Sequence, residues 1–241
     1  MISGKGILAL ALAAGVCGSA AAAIPTVSFN VSSAAGSNGG ALMGDAVAGS
    51  PGQYQYMGTA FVSQSFTCNV ELFAMDTSAS SRAVFGGLVT LINASNSTQT
   101  YVVTMTGSTV AQGTSSIMGG NVSGVLSATA AGATFTAGGA SPGWTASIGS
   151  STVQTMMTAP LSVSAGPSLS VAIPTQSFGV PIPSLASPVA MGTSTGLRME
   201  FSLTAGARVD LTSVFVVQAV PAPGALVAMA IAAAAPRRRR R

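Results

Sequence analysis

Leu197-Arg198-Met199-Glu200-Phe201-Ser202-Leu203 decides the fold class. Its odd positions are large and apolar and its even positions charged or polar, the period of a strand with one face on a core and the other in solvent. Thr204-Ala205-Gly206-Ala207 supplies a turn. Val209 to Val217 then returns with Leu211, Phe215 and Val217 available to the core, so the stretch predicts a hairpin.

The same period recurs upstream. In Phe66-Thr67-Cys68-Asn69-Val70-Glu71-Leu72, Phe66, Cys68, Val70 and Leu72 share one face, which makes Cys68 a small core residue. Tyr101, Val103 and Met105 alternate against Val102, Thr104 and Thr106. Asn93-Ala94-Ser95-Asn96-Ser97 joins this strand to Leu88–Ile92, and the pair reads as a second hairpin. Gly- and Ser-rich stretches at 34–52, 113–121 and 137–151 read as turns. Abundant Gly, Ser, Thr, Val and Ala with few Lys, Glu or Leu disfavours helices. We expect one all-β domain over residues 24–220, an antiparallel sandwich or jelly roll.

Residues 159–193 add a second pattern. Pro160, Pro167, Pro174, Pro181 and Pro188 recur every seven residues. An odd spacing turns successive prolines to alternate faces of a strand, so they punctuate short extended pieces rather than line one edge. They form either a stacked repeat or a Pro-rich cover along one side of the sandwich, and units this short favour the cover.

The two ends differ from the body. Met1 to about Ala23 has a charged Lys5, an apolar run from Ile7 to Ala14 and small residues at Ala21-Ala22-Ala23, as a secretory signal peptide does, with Ala21 and Ala23 at the cleavage site. At the other end, Val220-Pro221-Ala222-Pro223-Gly224 is an extended break, because proline fixes φ and lacks a donor. Ala225 to Ala235 is apolar without interruption, and Arg237, Arg238, Arg239, Arg240 and Arg241 close the chain. As a short apolar helix rising about 1.5 Å per residue, that segment falls well short of a roughly 30 Å hydrocarbon core. It is a weak permanent anchor. The arginines hold the C-terminus cytoplasmic by the positive-inside rule.

This order of motif, apolar segment and basic tail, over residues 220–241, resembles the PEP-CTERM sorting signal of Gram-negative exosortase substrates. Pro221, Pro223, Gly224 and the five arginines match, and Ala222 stands where the family usually carries Glu. The resemblance implies passage through the inner membrane, cleavage near the motif by an exosortase-type membrane protease or transferase, and delivery to the cell surface or beyond.

Charge and residue inventory narrow the function. The chain carries nine basic and five acidic residues, but Lys5 and the terminal arginines belong to the ends. Residues 24–220 keep Arg82, Arg198 and Arg208 against Asp45, Glu71, Asp76, Glu200 and Asp210, three against five, for a net of −2. The basic character therefore resides in the tail, and no nucleic-acid-binding face is expected. The chain has no histidine, which removes His-assisted triads and His-ligated zinc. Glu71 and Asp76 are the only acidic residues close in sequence within the first half, and read as solvated edge charges. No cofactor or metal is expected. Trp144, the single tryptophan, reads first as a core filler; stacking on a sugar face is the alternative. The sequence-level expectation is an exported structural or matrix-associated surface protein without catalysis of its own, with a carbohydrate-binding module for exopolysaccharide as the alternative.

Overall fold

A computed structural model describes residues 24–75 and 81–220. Both flanking segments expected to be helical, the signal peptide and the apolar tail, lie outside the described residues, as does Asp76. Sixteen strands are present among those described, and no helix. In chain order they are β1 (Val27–Ser33), β2 (Gly36–Leu42), β3 (Gly44–Ala46), β4 (Gln53–Val62), β5 (Phe66–Met75), β6 (Arg82–Asn93), β7 (Gln99–Ser108) and β8 (Ser116–Ser127). There follow β9 (Ala133–Ala137), β10 (Trp144–Ile148), β11 (Ser151–Met156), β12 (Leu161–Ala165), β13 (Ser170–Phe178), β14 (Leu185–Ala186), β15 (Ser194–Leu203) and β16 (Arg208–Ala219).

These strands form two antiparallel sheets. One runs β11-β10-β15-β7-β1-β2, with β9 continuing the β10 row along β15 and β12 outside β9. The other runs β13-β8-β16-β6-β5-β4-β3, with β14 extending the β13 edge along β8. The alternation read from the sequence fills the space between them. Phe66, Cys68, Val70 and Leu72 are buried, as are Tyr101, Val103 and Met105, and Leu197, Met199, Phe201 and Leu203. A chain of rings runs through one end of this core: Phe66 meets Tyr101 edge-on at 5.7 Å, Tyr101 lies 6.2 Å from Phe201, and Phe201 stacks on Phe135 at 5.4 Å. The sandwich expected from the sequence fits this arrangement.

Both expected hairpins need correction. β15 and β16 do not pair with each other: β15 bonds to β7, β10 and β9 in one sheet, β16 to β6 and β8 in the other. β6 and β7 likewise belong to opposite sheets. Each turn is therefore an arch across the core. The two strands it joins lie in opposite sheets and do not share a hydrogen-bonded ladder. Alternation along each strand is the same in either case, so the sequence pattern does not separate a hairpin from an arch.

The two arches lie side by side and are tied by Asn93, which is fully buried. Its side-chain amide donates to the carbonyls of Ser97, Leu203 and Thr204 at 2.9–3.0 Å. Its Oδ1 accepts from the Ser95 N–H and hydroxyl at 3.0 and 2.7 Å. The Asn93 N–H donates to the Ala207 carbonyl, and the Gly206 N–H to the Asn93 carbonyl, both at 2.9 Å. One polar side chain thus satisfies backbone groups of both crossings, which explains its place in an otherwise apolar interior.

The expected turn regions are partly strand. Residues 34–52 contain β2 and β3; three of the seven residues of β2 are glycines and none of the seven is fully buried, so it shows no apolar period to read. Residues 113–121 contain the start of β8, where Gly120 is needed for close packing: a Cβ there would lie 2.5 Å from the Val214 carbonyl and 2.9 Å from the Phe178 ring. Residues 137–151 contain β10. In the 159–193 segment Pro160 precedes β12, Pro167 lies in the turn to β13, and Pro174 sits in β13 where its register with β8 shifts. Pro181 and Pro188 fall in the loops on either side of β14. The prolines punctuate short edge strands along one side of the sandwich and build no stacked repeat.

Candidate functional site: the pole from which the chain leaves

Register places both ends of the domain at one pole. β1 starts at Val27, opposite Gly107 near the end of β7, and β16 ends at Ala219, opposite Ser116 at the start of β8. The 109–115 loop joins those two points and crosses from one sheet to the other. Hydrogen bonds fasten both chain ends to it. Ser108 N–H donates to the Thr26 carbonyl at 2.8 Å, and Thr26 N–H to the Ser108 Oγ at 2.7 Å. Val220 N–H donates to the Ser115 carbonyl at 2.8 Å, and Ala219 N–H to the Ser81 carbonyl at 2.7 Å.

Neighbouring loops brace the pole. Thr109 and Gln112 N–H groups donate to the Thr193 and Met191 carbonyls, each at 2.8 Å. The Tyr56 hydroxyl, on β4 in the opposite sheet, donates to the Pro25 carbonyl at 2.5 Å. Burial first, and the neighbouring Tyr54 second, push the Tyr56 phenol up to about 12, so it stays a donor at any ordinary pH.

Several large apolar side chains are exposed at this pole, among polar ones such as Thr26, Ser115 and Ser184. Ile24, Met43, Val110, Val180, Leu185 and Val220 are exposed there, Met43 at 91%. Met43 directly follows Leu42, the partner of Val27, and Leu185 pairs with Met118 near the start of β8. Among the described residues, the charged side chains near this end are Asp45, opposite Gln55 on β4, and Arg82, opposite Gln218 on β16. Among the described residues, two ion pairs lie away from this pole: Arg198 with Glu200 on the outer face of β15, and Arg208 with Asp210 at 2.8 Å near the opposite pole.

Of the residues singled out from the sequence, Val220 lies at the pole. Ala21, Ala23, Pro221, Ala222, Pro223, Gly224 and Arg237–Arg241 lie outside the described residues. Trp144 occupies the core, the first of its two readings. Its ring is fully buried and its Nε1 donates to the Ser213 Oγ on β16 at 2.7 Å, an inter-sheet bond, so no face is available to stack on a sugar. The core reading holds. Cys68 is also fully buried, and burial pushes its thiol up to about 12, which leaves no thiolate for chemistry. Among the described residues no three His, Cys, Asp or Glu side chains gather as metal ligands would.

A hollow of about 350 Å³ opens on the outer face of the second sheet, lined by Val47, Gln55, Glu71, Phe73, Leu88 and Thr212, beside the side-chain-free backbone of Gly87. A glycan-binding reading would have to use this hollow in place of Trp144. Phe73 escapes sequence reasoning because it occupies the solvent-facing register of an otherwise regular strand. The meeting of the two chain ends is equally illegible, since it depends on which sheet each strand joins.

Comparison with protein-family models, with curated proteins and with solved structures gives no match. Among the described residues no helix is long and apolar enough to cross a membrane.

Proposed function

We propose that the protein is an exported envelope protein whose β-sandwich is cargo, delivered by its C-terminal segment and then released to, or attached at, the cell surface or extracellular matrix. The sandwich is a structural or matrix-associated component without catalysis of its own. Signal peptidase acts at Ala21–Ala23, and an exosortase-type membrane enzyme acts near Pro221–Gly224 while the inner membrane holds the tail.

The observation that carries this reading is the way the last strand ends. β16 runs to Ala219, one further backbone bond pins Val220 to Ser115, and the Pro-Ala-Pro-Gly break follows at once. The last described strand therefore ends where a Pro-rich sequence begins; the residue before a proline is biased towards extended backbone, and extended backbone is the form in which peptide bonds are commonly bound by proteases. Arginines beyond the apolar run oppose passage of the C-terminus across the membrane.

Intact mass of the protein recovered from its own cells tests this. The expected species has lost both ends. Deleting Arg237–Arg241 is expected to leave the C-terminal peptides attached and the protein mislocalised. A wild-type chain that retains its arginines in the cytosol would overturn the proposal.

A further inference from the structure

We infer that the pole carrying both chain ends is a lipid-facing surface: while the tail is held, this end of the sandwich rests on the membrane interface and the arch end points away. The inference rests on the membrane-held reading of the tail proposed above, and adds an orientation and a contact surface to it.

Covalent reach supplies the first argument. Only Pro221, Ala222, Pro223 and Gly224 separate Val220 from the apolar run at Ala225. The five steps from Val220 to Ala225 extend at most about 18 Å, at roughly 3.6 Å each. The polar layer of a bilayer leaflet takes about 5–8 Å of that, the difference between the hydrocarbon core and the full thickness shared over two leaflets. About 10–13 Å remains as clearance at full extension, little more than the roughly 10 Å spacing of two packed sheets. Val220 is itself bonded to Ser115, so the last described residue cannot peel away to lengthen the tether without losing that bond.

Surface chemistry supplies the second. The loops around Val220 present Val110, Ile24 and Met43 to solvent, and Val180 and Leu185 flank them on the β13–β14 edge. The sequences of the 109–115, 179–184 and 187–193 loops contain no charged residue. Apolar side chains gathered at one end of a domain, around the point where an apolar segment departs, match the chemistry of a bilayer interface better than that of bulk water. Of the other exposed large apolar residues, Met57, Phe61, Val125 and Val171 lie on strands of the second sheet and Leu169 in the turn before β13 towards the arch end, so none crowds the exit.

The test reads depth directly. Single cysteines replace Val110 at the exit pole and Asn96 in the arch at the other, in a Cys17→Ser background; the buried Cys68 does not compete for label. The full chain is expressed in a host without an exosortase-type enzyme, so that its tail stays attached, recovered in inner-membrane vesicles, labelled with an environment-sensitive fluorophore, and exposed to nitroxide-bearing phospholipid. Label at 110 is expected to shift to the blue and be quenched, and label at 96 to do neither. Equal response at both positions, with the chain still in the vesicles, overturns the lipid-facing pole and leaves the tail reading intact. A chain absent from the vesicles overturns the tail reading, and the orientation falls with it.

Discussion

At the arch pole a buried amide binds two inter-sheet crossings together, whereas at the exit pole backbone bonds hold loops that expose several apolar side chains. Asn93 reaches carbonyls in both arches and is fully buried. Val110 and Met43 have much of their surface in solvent. Stability should therefore be concentrated at the arch end, and the end that holds Thr26 and Val220 should tolerate change. That division can be tested by mutation.

The largest effect is expected at Asn93. Asn93→Ala leaves the Leu203 carbonyl without its side-chain donor in the interior and frees the Ser95 and Ser97 loop. Each buried polar group stranded in this way costs about 1–3 kcal/mol, so a loss of about 3 kcal/mol or more is expected in the urea unfolding midpoint. A cost near zero would mean that the arches hold without their tie, and the contrast between the poles would vanish.

Next comes the bond between the sheets at mid-height. Ser213→Ala buries the Trp144 Nε1–H without an acceptor, and Trp144→Phe removes the donor together with part of a fully buried ring. Each is expected to cost about 1–3 kcal/mol. Trp144 emission should be blue-shifted in the native protein and indifferent to added glycans. A spectral change on adding a glycan would show that the ring has a route to the surface.

A smaller effect comes from alkali. Burial raises the folded-state Cys68 thiol to about 12 from an ordinary 9.0. The unfolded chain therefore gives up this proton first. Stability is full below about pH 9 and falls as pH rises towards 12, and by pH 10 this thiol alone should remove about 1 kcal/mol. Tyr101 and Tyr56, raised by burial in the same direction to about 12, add to the slope from about pH 10 upward. Cys68→Ala should flatten the part of the slope between pH 9 and 10, measured as unfolding midpoints across that range.

Inward and outward faces were legible because burial leaves a period of two in each strand, and 66–72, 101–105 and 197–203 show it plainly. Sheet membership was not legible. Thr204–Ala207 has the composition of a tight turn whether it returns within a sheet or crosses the core, and what decides is the bonding of β16 to β6 and β8, far away in sequence. Edge strands hid for a different reason: β2 packs only Leu42 against the core, and its Gly36-Ser37-Asn38-Gly39-Gly40 carries turn residues throughout. The exit pole combines both difficulties. Its apolar residues are single and scattered through loops, and only the fold brings Met43, Val110 and Val220 to one end.

The smallest expected effect is at that pole, and it is the sharpest test of the comparison. Val110 follows β7 in a loop fixed by backbone bonds from Thr109 and Gln112, which do not depend on the Val110 side chain. Val110→Asp adds a charge to a partly solvated position and opens no cavity, so its unfolding midpoint in solution should move by no more than about 0.5 kcal/mol. The same charge at a bilayer interface must be desolvated or lifted out of the lipid, which costs more than it does in water. The variant should then fold as the wild type does, yet lie less deeply in the vesicles that hold its tail. A Val110→Asp variant that unfolds as readily as Asn93→Ala would place Val110 in the core's cooperative unit, and the two poles would no longer be different in kind.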